Sequence, residues 1–125
     1  VRLQPCICDI WHDHVLFQED EVCGIVDFGA MRIDSVATDV ARLLGSLVGD
    51  DDNGWKMGLD AYQRIRSLPP EEQRLVQAFD RSTVTLAGMN WLQWIYIDGR
   101  RFDRREQILI RIDTIIERLA YLASD

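Results

Sequence analysis

At 125 residues, 47% of them hydrophobic and 28% charged, the chain has the size and balance of one ordinary globular domain. Its net charge of −7 repels phosphate backbones and anionic bilayers, which argues against nucleic-acid and membrane-surface binding, keeps the protein soluble, and favours a cationic group on any small ligand. No apolar run approaches the roughly 20 residues of a membrane span, no signal-peptide pattern opens the sequence, and the three cysteines form no disulfide framework, so a reducing cytoplasm is the expected location.

Residues 1–8 are short and apolar, interrupted by Pro5. Two runs rich in β-branched and aromatic residues follow, at 15–18 (VLFQ) and 22–27 (VCGIVD), joined by the acidic turn EDE. Such runs around a short polar turn predict a β-hairpin, with Gly24 marking a bulge or a close backbone approach. The hairpin brings Asp9 and Asp27 to one end of a small sheet. Residues 28–35 read as irregular.

Everything beyond reads as helix. Asp34 or Ser35 offers an N-cap. From there Val36, Val40, Leu43, Leu44, Leu47 and Val48 recur at helical spacing, and Gly49 stops the helix. Asp50 to Asn53 form a polar link that caps a second helix, which turns Trp55, Met57, Leu59, Tyr62 and Ile65 towards a core. Leu68-Pro69-Pro70 breaks it. Pro70 at a first helical position, with Glu71 and Glu72 behind it, starts a long helix reaching Ile97. Apolar residues lie nearly all round its second half, which predicts that this half is buried. Asp98-Gly99 ends it. The basic stretch 100–105 leads to a last helix with Ile108, Ile112, Ile115, Leu119 and Leu122 on one stripe. The expected fold is mainly α with a small β-hairpin: a single domain over 1–125, with the loop and hairpin in 1–29 and a helical region over 35–125.

Five clusters carry chemistry. Asp9 and Asp27 flank the hairpin. Cys6, Cys8, His12 and His14 put four zinc-capable side chains within nine residues, although C-x-C and H-x-H are not the usual structural zinc spacings. Trp91, Trp94 and Tyr96 suit either a core or a cation–π pocket. Asp50, Asp51 and Asp52 suit either a helix start or an amine-attracting surface, and Arg100, Arg101, Arg104 and Arg105 either a solvated face or a phosphate contact.

The segment Ile7-Cys8-Asp9-Ile10-Trp11-His12-Asp13-His14-Val15-Leu16-Phe17, then Gly24-Ile25-Val26-Asp27-Phe28-Gly29, resembles the H-G-D-x-x-x-x-N, strand, turn, strand, I-D-F/W pattern of aminoglycoside phosphotransferases and choline kinases, relatives of the protein kinases. Asp34-Ser35, Asp39-Val40-Ala41 and Leu59 with Tyr62 continue the likeness across residues 5–62. The resemblance implies the helical C-terminal lobe of a kinase-like phosphotransferase. It implies that Asp9 accepts or orients the proton of a substrate hydroxyl, that Asp27 holds magnesium against ATP, that His14 is a second metal ligand, and that Asp39 supports the loop from behind. The pattern's His, Gly and Asn are replaced by Ile7, Cys8 and His14. An imidazole at the Asn position is a poorer ligand for magnesium and a better one for zinc or manganese. No Gly-rich loop or strand lysine is present, and Lys56 is the single lysine. The resemblance therefore places the nucleotide-binding lobe before Val1. The intact protein is expected to phosphorylate a hydroxyl of a small molecule with ATP and Mg2+, and residues 1–125 alone to be inactive. The alternatives are a pseudokinase-like interaction module and a small zinc-binding domain.

Overall fold

The structure, a computed structural model, describes residues 1–124. Four short strands and four helices follow in the order β1 (Leu3–Cys6), β2 (Val15–Gln18), β3 (Glu21–Ile25), β4 (Arg32–Ser35), α1 (Val36–Val48), α2 (Asp52–Gln63), α3 (Pro70–Leu92) and α4 (Arg105–Ala123). A single 3₁₀ turn, His12–His14, precedes β2, and a π-helical turn, Gln93–Ile97, extends α3 to the expected Ile97. The fold is thus mainly α with a small β-hairpin.

The hairpin is β2–β3. Leu16 faces Gly24 while Phe17 faces Val22, so Cys23 is the extra residue of a bulge beside the glycine that signalled it. A second antiparallel pair was not legible: β1 joins β4, matching Leu3 to Ser35 and Cys6 to Arg32. The expectation that 28–35 is irregular therefore fails for Arg32–Ser35. The alternation that would reveal a strand is blurred there, because Arg32, Ile33 and Asp34 all keep contact with solvent and only Ser35 is buried.

The chain divides into two compact units, Val1–Asp80 and Arg81–Asp125. The first holds a core of Val36, Ala37, Val40, Ala41, Leu68 and Val76, with Leu44, Trp55, Leu59, Tyr62, Leu75 and Phe79 packed around it. Ser35 caps α1 by accepting from the Ala37 N–H, Gly49 closes it at φ 56°, and Asp51 caps α2 through the Asn53 N–H. Met57 and Ile65 do not face the core: Ile65 lies past the end of α2 and is 94% exposed. Between α1 and α2, a Cβ on Gly54 would meet Val48 Cβ at 2.7 Å, so only glycine allows this approach.

In the second unit the stripe Ile108, Ile112, Ile115, Leu119 and Leu122 is the half-buried face of α4. The expected burial of the second half of the long helix fails: Leu86, Met89, Leu92, Tyr96 and Ile97 are exposed. Apolar residues on every face outnumber what 45 residues can cover, since surface dominates in so small a unit. Trp91 packs against Trp94 and Phe102, and Arg100 lies over the Trp94 ring at 5.0 Å while pairing with Asp98. The cation–π partner is internal.

Candidate active site

The site is built on the loop between β1 and β2. Cys8 enters it with φ 63°, a left-handed conformation that favours glycine, which is the residue found there in the resembled pattern. This twist turns the Ile7 and Cys8 amides inward, and both donate to Asp39, at 2.8 and 2.7 Å. Asp39 therefore holds this turn through two charge-assisted hydrogen bonds.

Asp9 follows immediately. Its Oδ1 is ion-paired with Nη2 of Arg42, one turn along α1 from Asp39. Its main-chain carbonyl is bonded to His14 Nδ1 at 2.8 Å. One turn beyond Arg42, the Ser46 hydroxyl accepts from the His12 N–H at 2.9 Å and donates to the Leu43 carbonyl. Asp39, Arg42 and Ser46 thus form one face of α1 along which residues 7–12 are laid, since positions three and four apart share a helix side. Arg42 and Ser46 were missed by reasoning from sequence. The signal available was a cation and a hydroxyl at i+3 and i+7 from Asp39 on a mostly apolar helix.

His14 closes the loop. The Trp11 indole N–H, which can only donate, is bonded to His14 Nε2 at 2.8 Å. The imidazole proton is thereby assigned to Nδ1, which donates to the Asp9 carbonyl. The hairpin then sets Asp27. Val15 pairs with Ile25, and the Val26 N–H donates to the His14 carbonyl at 3.0 Å. The strand ends at Ile25, two residues earlier than expected, and Asp27 stands beyond it at φ 66° with its side chain 59% exposed. Its Oδ2 lies 3.7 Å from His14 Nε2 and its Oδ1 receives the Gly29 N–H.

Asp9, His14 and Asp27 are therefore brought together, each offering a ligand atom within 4.8 Å of the others. Among the described residues this is the one such group of three or more, so Cys6, Cys8, His12 and His14 do not assemble into the zinc site that their proximity in sequence suggested. Cys6 and Cys8 are buried instead, and burial pushes both thiols above their ordinary pKa. Cys6 Sγ points to the Asp34 carbonyl. Asp50 to Asp52 form a helix start, with Asp51 as its cap.

Among the described residues, no helix is long and apolar enough to cross a membrane. No curated protein and no solved structure matches the chain. The model of the phosphotransferase enzyme family (APH) matches residues 2–76, a span that contains both sheets, α1, α2, and every residue of the Asp9, His14 and Asp27 cluster. More than half of the chain is covered, and the chain belongs to the phosphotransferase enzyme family.

Proposed function

We propose that this chain carries the catalytic loop and metal-binding segment of an ATP-dependent phosphotransferase whose acceptor is a hydroxyl of a small molecule. The observation that supports the reading best is the convergence of Asp9, His14 and Asp27 within 4.8 Å in a family whose members transfer phosphate. Phosphoryl transfer asks little covalent chemistry of a protein. It asks that the hydroxyl be aimed and the phosphate charge neutralised. Asp9 has one carboxylate oxygen committed to Arg42 and a second left to accept a hydroxyl proton. Asp39 fixes the turn that carries it.

A divalent cation would supply the charge neutralisation on the ATP phosphates. The donors fit one in part. Asp27 offers an exposed carboxylate oxygen, as hard cations require. His14 offers Nε2, which joins the set once the Trp11 N–H has left it, and which suits manganese better than magnesium. Net charge −7 favours an acceptor bearing an amine and opposes nucleic acid as a partner. Three free thiols support a reducing compartment, the cytoplasm.

A second reading has its own support. Trp11 on His14 Nε2 and Arg42 on Asp9 occupy both groups, as in an interaction module that has kept the lobe and lost the chemistry. Phosphotransfer from ATP by the full-length protein separates the two. Turnover that falls by about a thousandfold or more in Asp9→Asn and in Asp27→Asn supports the enzyme, the scale on which loss of base and electrostatic groups acts. Turnover unchanged in Asp9→Asn removes Asp9 from the role. Residues 1–125 alone are expected to release no phosphate from ATP, and turnover by them would overturn that part of the reading.

A further inference from the structure

Asp9 stands within reach of the same point in space as His14 and Asp27. Ligands of one divalent cation, each at roughly 2.0–2.6 Å, sit up to about 5 Å apart across it. A cation held by Asp27 and His14 could therefore recruit Asp9 as a third ligand, and a carboxylate that binds a cation is poorly placed to accept a proton. Something must keep the two carboxylates in separate tasks.

We propose that Arg42 does this: it is a positioning residue that competes with the metal for the Asp9 carboxylate, so that Asp27 and His14 bind the cation and Asp9 stays directed at the acceptor hydroxyl. This rests on the reading of Asp27 and His14 as metal ligands given above. The geometry supports it from three sides. The main chain around Asp9 is fixed before it by Asp39 on the Ile7 and Cys8 amides, and after it by Ser46 on the His12 amide and His14 on the Asp9 carbonyl. Asp9 can therefore choose its partner only by turning its side chain. That side chain is taken by Arg42 Nη2. The guanidinium is charged at every relevant pH, and with its buried Nε left without a hydrogen-bond partner its contact through Nη2 to Asp9 is the charged pairing it makes. Each carboxylate then has its own cation: Arg42 for Asp9 and the metal for Asp27.

A residue with a merely structural role would weaken metal binding when removed. Arg42 is expected to do the opposite. The experiment is calorimetric titration of Mn2+ into the wild-type chain, Asp27→Asn, Arg42→Gln, Asp9→Asn and the double variant Arg42→Gln/Asp9→Asn. Wild type binds Mn2+ and Asp27→Asn loses it. Arg42→Gln binds Mn2+ more tightly, on the order of tenfold, the scale of one added charge contact at a partly exposed site. In the Asp9→Asn background the same substitution changes affinity by no more than about twofold, because the gain depends on the Asp9 carboxylate. An unchanged or weaker affinity in Arg42→Gln overturns the proposal while leaving Asp27 as a ligand. An equal gain with and without the Asp9 carboxylate overturns it too, since that is loss of charge repulsion alone. No Mn2+ binding by wild type overturns the metal reading and this one together. Should Arg42→Gln not fold, Arg42→Met, which keeps the aliphatic stem, takes its place in the cycle.

Discussion

Trp11 Nε1–H donates to His14 Nε2 at 2.8 Å, with the indole edge-on to the imidazole and ring centroids 5.5 Å apart. The nitrogen that faces Asp27 is therefore the one that Trp11 covers. A resting hydrogen bond competes with any cation for the same lone pair.

Trp11→Phe keeps an edge-on aromatic ring and removes the donor. A neutral hydrogen bond contributes about 0.5–1.5 kcal/mol net, and 1.4 kcal/mol corresponds to about tenfold in an equilibrium. Mn2+ affinity in Trp11→Phe is thus expected to rise by about twofold to tenfold, read by titration against wild type. A fall in affinity would show that Trp11 supports the ligand geometry and does not compete with the cation.

The Asp39 carboxylate accepts two main-chain donors from the turn before Asp9. Asp39→Ala leaves both amides without that partner at a half-buried position. The expected loss is about 2–4 kcal/mol, from two charge-assisted bonds of roughly 1.5–3 kcal/mol each, reduced by water reaching the gap. Thermal unfolding measures the total. Hydrogen exchange measures the place: the Ile7 and Cys8 amides should exchange much faster in Asp39→Ala, while amides of α4 stay as they are.

Helix caps, stops and stripes were legible because each has a local cause. Ser35, Gly49, Asp51 and Pro70 act within one turn of themselves. The convergence of Asp9, His14 and Asp27 was legible through a pattern of residues, and the strand pairing that joins Asp27 to His14 followed from the β-branched and aromatic runs on either side of the EDE turn. What escaped was non-local. The β1–β4 pair joins residues about thirty apart and has no buried alternation to announce it. Arg42 reads in sequence as an ordinary helical cation, and only the fold shows Asp9 beside it. The π turn at Gln93–Ile97 and the exposed apolar residues around it have no signal in the hydrophobic pattern, which predicted burial.

Cys8 sits at φ 63° with its side chain buried. The two facts pull substitutions in different directions. Cys8→Gly removes the steric cost of the left-handed conformation, about 1–2 kcal/mol, and loses a buried thiol and some chain stiffness, about the same amount together. Its stability should lie within about 1 kcal/mol of wild type by these terms. Cys8→Val fills a similar volume but puts a β-branched side chain at positive φ, and should lose more than about 2 kcal/mol. Chemical denaturation of the pair tests this. If Val is tolerated as well as Gly, backbone conformation does not constrain the position.

The three thiols should react in two classes. Cys23 is exposed on β3, whereas Cys6 is 1% and Cys8 is 9% exposed. Burial raises the pKa of Cys6 first, with the Asp39 and Asp34 carboxylates adding to it. It raises that of Cys8 against a smaller opposing pull from Arg32. The thiolate is the reactive form, so a disulfide-exchange reagent at about pH 8 should label Cys23 at once and Cys6 and Cys8 only as the first unit opens. Labelling of all three at one rate would mean that β1 and its loop are not closed over.

Asp34 ties acid stability to the β1–β4 pair. Its carboxyl is held below the ordinary value of 3.8, chiefly by the Ser35 N–H at 2.7 Å. Burial opposes this, and Arg32, with Nη2 at 3.0 Å, supports it. A carboxylate whose folded pKa is depressed binds fewer protons folded than unfolded. Its contribution is full above about pH 3.8 and is lost as pH falls through the lower folded value. Asp34→Asn cannot lose what it does not have. The melting temperature of wild type should therefore fall more steeply than that of Asp34→Asn between about pH 5 and pH 3, while Asp34→Asn is the less stable of the two near neutrality. Parallel pH profiles would show that Asp34 titrates alike in the folded and unfolded chain, and that the β1–β4 pair owes nothing to its charge.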